Sequence, residues 1–287
     1  MRNDNAECRN RITCRAYAKI NLLLDVTGRL PNGYHSVVML NQSISLHDVV
    51  TVELTQNRGI EIVCDCKGIP LDSRNIAWKA CEAFGIGGGV KITLEKHIPG
   101  EAGLAGGSAD AAAVLTALNE LFPGTTSESL YSIAARLGAD VPFCLKGGCC
   151  LAQGVGEILT PLPCLPDDYS VALVKPEAIS VSTARAYAAM DAIALRRPRT
   201  DEAVALAQQG RWAEAFPLCA NVFEQVTQLP GLAECKDEAL AAGALLCQMT
   251  VSGSAVFAIM RNDALPALGA LGTVHVYKPV PFGVELI

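Results

Sequence analysis

Aromatic residues make up only 5% of this 287-residue chain. No apolar stretch reaches the roughly 18 residues that a helical membrane span requires, so no membrane partner is expected. Positive charge is also short: 23 Lys and Arg stand against 29 Asp and Glu, a net charge of −6. Nucleic-acid binding rests on many cations neutralising phosphates, so that class of partner is not expected either. The 12 cysteines include no C-x-x-C and no Cys/His set at zinc spacing; they fall as Cys64-x-Cys66, the adjacent Cys149 and Cys150, and scattered singles, mostly in apolar stretches. Buried reduced thiols are the expectation, with no protein-built metal centre. The opening M-R-N-D-N-A-E-C-R-N-R is polar with no apolar segment behind it, unlike a secretory signal, which points to the cytoplasm.

Hydrophobic residues make up 51% of the chain, enough for one large or two ordinary globular domains. Apolar or alternating runs at Arg11 to Thr27, Gln42 to His47, Val49 to Leu54 and Gly59 to Cys64 read as strands. Helices follow around Ile76, Ala109 and Glu128, giving α+β with an antiparallel-rich sheet. Pro161, Pro163 and Pro166 break the pattern near residue 165. Beyond them, a strand at Ser170 to Val174, helices near Thr183, Asp201, Trp212 and Leu232, and strands at Val256 to Met260 and Val274 to Tyr277 form a second α+β unit. The expected division is 1–165 and 166–287.

Pro99 to Ala113 read P-G-E-A-G-L-A-G-G-S-A-D-A-A-A, a glycine-rich turn running into a strong helix. Gly103, Gly106 and Gly107 lack Cβ atoms, so the backbone there can take φ > 0 and approach a ligand closely, while Ser108 or Asp110 can cap the helix. Unpartnered N–H groups of the first turn, with the helix dipole, favour an anion such as a polyphosphate. The segment lacks the G-K-[ST] of a Walker loop and the G-x-G-x-x-G of a dinucleotide fold. A turn that only caps a core helix remains the alternative. A second cluster, Gly85 to Gly89, follows a helix and precedes a strand, the reverse of the order that cradles phosphate, and reads as a plain turn.

Lys19 and Asn21, two apart on a strand, point to one face, opposite Ile20 and Leu22. A lysine in so apolar a run is either an edge-strand guard or one with an anionic partner or ligand. In R-L-G-A-D-V-P-F-C, Asp140 stands among apolar neighbours and is either paired or catalytic, with Lys19 the candidate partner. Pro31-Asn32-Gly33 is turn chemistry that delivers Tyr34 and His35 together, where they can stack on and hydrogen-bond a base. T-V-S-G-S-A-V-F (Thr250 to Phe257) is another small-residue turn, placed to line the same cleft.

Together these segments resemble the superfamily of galactokinase, homoserine kinase, mevalonate kinase and phosphomevalonate kinase, whose phosphate loop is matched by Pro99 to Ala109. Within it, A-Y-A-K-I-N-L-L-L-D-V, N-G-Y-H, G-L-A-G-G-S-A-D-A-A-A, L-G-A-D-V-P-F, G-V-G-E and P-V-P-F-G-V, in that order, resemble the 4-diphosphocytidyl-2-C-methyl-D-erythritol kinase family. The resemblance implies a two-lobed α+β kinase with its active site in the cleft between lobes. Residues 1–165 would bind ATP and 166–287 would form the substrate side. It implies ATP and Mg2+ as cofactors and a cytidine diphosphate sugar alcohol as the small-molecule partner, in a monomer or weak homodimer. It carries the catalytic roles onto Lys19 and Asp140. Pro99, Gly103, Leu104, Ala105, Gly106, Gly107 and Ser108 match the ATP-phosphate loop, with Asn75 and Lys96 near the nucleotide. Tyr34, His35 and Tyr187 match residues that sandwich and read cytosine, and Asn21 and Thr183 match polar positions near the substrate. One departure is plain: the family's last loop begins T-G-S-G or S-G-S-G, and Val251 stands where the first glycine belongs. Another kinase of the superfamily, or a binding homologue without turnover, remain the alternatives.

Overall fold

Residues Arg11–Arg29 form a single strand, β1, buried on both faces from Ala16 to Val26. The computed structural model describes residues 10–176, 182–261 and 272–287; the polar opening segment lies outside the described residues. A turn built on Pro31-Asn32-Gly33, with Gly33 at φ +85°, returns the chain antiparallel as β2, His35–Thr55. The expected strands Gln42 to His47 and Val49 to Leu54 are halves of this one strand. His47 and Asp48, which interrupt the apolar pattern, lie inside it beside a bulge opposite Tyr17 and Ala18.

The first sheet runs β11-β1-β2-β4-β3, where β3 is Gly59–Cys64, β4 is Gly89–Glu95 and β11 is Val284–Leu286; β5 (Cys149–Gln153) pairs with β2, and β6 (Ile158–Leu162) with β5. Only β3 and β4 run parallel, joined through α1, Ile76–Phe84. Gly85 ends α1 in the left-handed region, and β4 begins at Gly89, so this glycine cluster is the turn it was read as. Pro161, read as a breaker, sits within β6 at the sheet's edge, where a residue without an N–H is tolerated. The last strand, β11, returns to pair with β1.

Helix α2, Gly106–Leu121, lies against β1 and β2 with nearly every residue from Ala109 to Leu118 buried. Its alanines suit that position, because only small side chains let a helix be buried all round at close packing distance. Two further helices, α3 (Ser127–Leu137) and α4 (Val141–Lys146), pack beside it. The second sheet has the order β10-β7-β9-β8, from Val274–Tyr277, Tyr169–Val174, Val256–Arg261 and Leu246–Met249, antiparallel throughout. Helices α5 (Thr183–Met190), α6 (Thr200–Gln208), α7 (Trp212–Ala215) and α8 (Leu232–Ala241) complete this half, starting where the sequence placed them. No helix among the described residues is long and apolar enough to cross a membrane.

Candidate active site

Lys19 lies in the middle of β1 with 1% of its surface exposed. Its Nζ donates to Asn21 Oδ1 at 2.8 Å and stands 3.8 Å from Asp140 Oδ1. Both expectations for β1 hold: the two polar side chains share a face, and the lysine meets a carboxylate. Asp140 begins α4, makes no side-chain cap bond and has a side chain 32% exposed. A carboxylate used to close a helix would be spent on backbone N–H groups; this one is partnered by a buried ammonium and stays open to a ligand.

Two loops close over this pair. The first, Pro99 to Ala105, is tied to β1 by the Lys19 N–H bond to Leu104 O at 3.2 Å. The second follows β8, and Thr250 Oγ1 donates to Asn21 Oδ1 at 3.0 Å or to Gly103 O at 3.2 Å. The loops meet so closely that a Cβ on Gly103, at φ +78°, would lie 2.4 Å from Thr250 O, so only glycine fits. Asn21 Oδ1 also accepts the Val251 N–H at 3.2 Å, and Asn21 Nδ2 donates to Asn41 Oδ1 at 2.7 Å.

The glycine-rich segment differs from expectation in two respects. Left-handed backbone falls on Glu101, Gly103 and Ala105, while Gly106 and Gly107 are already helical. For Gly106 the requirement is closeness: a Cβ would stand 3.0 Å from Ile98 Cγ2. Neither Ser108 nor Asp110 caps α2, because its N-cap position is Ala105 and carries no side-chain bond. First-turn N–H groups left uncapped by a side chain can take a ligand's oxygens, which is the geometry of an anion site.

Asp110 points instead into a buried cluster. Lys96 Nζ donates to Asp110 Oδ2 at 2.5 Å and forms a short ion pair with Asp48. Asp48 Oδ1 accepts the N–H groups of His97 and Ile98 at 2.6 and 2.8 Å. Burial pushes the Asp110 carboxyl up to about 7; the charge of Lys96 opposes this and that of Asp48 adds to it. Burial opposes the charge on Lys96, but Asp110 and Asp48 outweigh it and raise its pKa. Asn75 caps α1, accepting from Ala77 N at 2.9 Å and donating to Pro70 O at 2.8 Å.

On the far side, His35 and Tyr187 stack directly, with ring centroids 4.5 Å apart and planes 13° from parallel. A base cannot lie between rings this close, so it must stack on an outer face or part them. His35 Nε2 is bonded to Asp191 Oδ1 at 2.8 Å, and Tyr187 is held edge-on by Phe223. Burial, and then the charge of Asp140, push the Tyr187 hydroxyl up to about 12. Tyr34 is 65% exposed. Thr183 Oγ1 and Ser252 Oγ share a hydrogen bond of 2.8 Å, joining α5 to the second loop.

Sequence reasoning missed Asn41, Asp48, Asp191 and Asn221. Asp48 had a visible signal, a carboxylate inside a β-branched run, but its partners Lys96, His97 and Ile98 are 48 to 50 residues away along the chain.

An uncapped helix N-terminus beside a buried lysine and an open aspartate is the working geometry of a small-molecule kinase. The GHMP kinase N-terminal domain matches residues 74–148, and the GHMP kinase C-terminal domain matches residues 199–272. A 4-diphosphocytidyl-2-C-methyl-D-erythritol kinase of Lachnoclostridium phytofermentans is 41% identical over 280 residues, covering 95% of this chain and 94% of that protein. One of the same name from Desulfitobacterium hafniense is 45% identical, covering 89% of each. A crystal structure of a 4-(cytidine 5′-diphospho)-2C-methyl-D-erythritol kinase superposes with a TM-score of 0.72 at 34% identity, covering 92% of this chain and 98% of the other. The homoserine kinase of Cytophaga hutchinsonii, at 20% identity and a TM-score of 0.74 over 97% of this chain and 98% of its own, shares the fold. This chain belongs to the 4-diphosphocytidyl-2-C-methyl-D-erythritol kinase family of the GHMP kinases.

Proposed function

We propose that this chain transfers the γ-phosphoryl group of ATP to the 2-hydroxyl of 4-(cytidine 5′-diphospho)-2-C-methyl-D-erythritol, a step of the non-mevalonate route to isoprenoid precursors, in the cytoplasm. The observation that carries the reading is the Lys19–Asp140 pair, 3.8 Å apart, under the two loops at the start of α2. Phosphoryl transfer passes through a loose transition state, so the protein mainly positions groups and stabilises charge. Asp140 Oδ1 orients the acceptor hydroxyl and takes its proton. Lys19 holds that carboxylate in place, and Asn21 holds Lys19. The segment from Pro99 to Ser108 and the first-turn N–H groups of α2 receive the phosphates of ATP. Lys96 and Asn75 stand behind that loop, one in the buried cluster and one capping α1, and shape the nucleotide side.

Magnesium, a hard cation that keeps most of its shell on phosphate and water, would need no protein-built cage here. When bound it neutralises developing charge on the phosphates. Cytosine is read by Tyr34, His35 and Tyr187, with Asp191 fixing the imidazole through Nε2. Thr183 faces the sugar-alcohol portion, and Asn21, fully buried, acts behind it through Lys19. The test is ATP consumption with magnesium and a panel of acceptors: turnover requires the cytidylyl acceptor and is absent with homoserine or mevalonate. Equal turnover with either of those overturns the reading.

A further inference from the structure

Val251 is a β-branched residue at φ +50°, where Cβ crowds the backbone and only glycine is unstrained. Something must hold it there. Its N–H is fixed by Asn21 Oδ1 at 3.2 Å, and its carbonyl accepts from Asn221 Nδ2 at 2.7 Å. The same Nδ2 donates to Met249 O at 2.9 Å, while Asn221 Oδ1 accepts the Phe223 N–H at 3.0 Å. The amide's orientation is thereby fixed: its two hydrogens face two carbonyls and its oxygen faces an N–H. Asn221 is 3% exposed, and its segment is anchored to β1 by the Leu24 N–H bond to Ala220 O at 2.9 Å. Glu224, one turn on, takes the Met249 N–H at 2.7 Å. The loop is therefore gripped from the β1 side at Asn21 and from the helical side at Asn221, with the strained residue between.

The grip reaches the reacting groups through one oxygen. Asn21 Oδ1 accepts from Lys19 Nζ, from Thr250 Oγ1 and from Val251 N. If Val251 relaxes to φ < 0, its peptide rotates and two of those three donors move. We propose that Asn221 is a positioning residue for phosphoryl transfer: its amide holds Val251 in the left-handed region, so that Thr250 and Val251 stay on Asn21 and Lys19 stays beside Asp140. This inference rests on the kinase reading given above. A glycine at 251 would need no such clamp, so the demand on Asn221 is specific to the valine.

The experiment is a cycle of Asn221→Ser, Val251→Gly and the double variant. Serine can still cap Phe223 N–H but is too short to reach both carbonyls. N221S should lower kcat on the order of ten- to a hundredfold, as for a reacting group misplaced by about 1 Å, with KM for ATP nearly unchanged. V251G alone should raise kcat/KM. The double variant should recover to within about threefold of V251G, a rescue that a merely structural role for Asn221 does not give. A double variant as slow as N221S, or an N221S chain with native kcat, overturns the proposal. If N221S does not fold, recovery of folding and turnover in the double variant supports the clamp, and failure of both overturns it. A wild-type chain without phosphotransfer instead refutes the kinase reading. The clamp is then tested by hydrogen exchange at the Val251 amide against its Asn21 bond: faster in N221S supports the clamp, unchanged overturns it.

Discussion

Lys19, within β1, and Lys96, just after β4, both have buried side chains near the α2 N-terminus, yet they are held in opposite ways. Lys96 lies between two carboxylates with side-chain exposures of 0% and 4%, all three groups withdrawn from water. Lys19 has one side-chain amide and one aspartate that is 32% exposed and 3.8 Å away. A lysine locked between two buried acids has its charge already spent on the fold. One facing a single open carboxylate can bias that carboxylate's chemistry and still answer a third group. The same residue type thus closes a buried cluster in one place and, in the function proposed here, serves the reaction in the other; the degree of closure of its partner distinguishes them.

The comparison breaks most visibly on stability. Lys96→Met strands Asp48 and Asp110 without a counter-charge, and removing one partner of a buried ion pair costs about 3–5 kcal/mol. Thermal and urea unfolding should register that loss. Lys19→Met, whose partner can turn to water, should lose far less stability while its kcat falls. Next in size is the proposed base: Asp140→Asn should lower kcat by roughly a hundredfold or more with KM for ATP little changed, in line with general-base contributions. The Lys19 and Asp140 effects should sum to more than the double variant loses, since the pair acts as a unit. Tyr187→Ala should weaken the cytidylyl acceptor by about 1–3 kcal/mol, the worth of stacking on a base, and spare ATP. Equal loss for both ligands would show Tyr187 to be a support for Phe223 and α5 instead.

One further effect depends on pH and concerns Asp110. Its carboxyl is raised to about 7 in the folded chain against roughly 3.9 when unfolded, so the native state holds a proton the unfolded chain has released. This contribution to stability is whole below about pH 4 and declines as pH rises toward 7. Asp110→Asn, neutral throughout, should flatten that part of the stability curve; an unchanged slope would place the titration elsewhere.

The sequence made the short-range features plain. Alternation placed Lys19 and Asn21 on one face, turn chemistry located Gly33 and Gly85, and alanine content and glycine spacing located α2. Val251 stood out against the family's glycine, and it does take φ +50°. What remained hidden were pairings across long separations, such as Asn21 with Asn41 across the hairpin and Asn221 with the loop after β8. Both residues sit in unremarkable local sequence, and their roles arise only when distant strands are in register. Expecting Ser108 or Asp110 to cap α2 failed because the helix already begins at Gly106, and Asp110 is claimed by Lys96, just after β4, which also binds Asp48 of β2.

The most direct measurement is phosphorus NMR of a single-turnover mixture of this chain, ATP, magnesium and the cytidylyl-methylerythritol acceptor. The account predicts a new phosphomonoester on the 2-hydroxyl of the erythritol, formed by the wild-type chain and roughly a hundredfold more slowly by Asp140→Asn. Phosphate on another atom, no phosphomonoester at all, or equal rates for the two chains would contradict it.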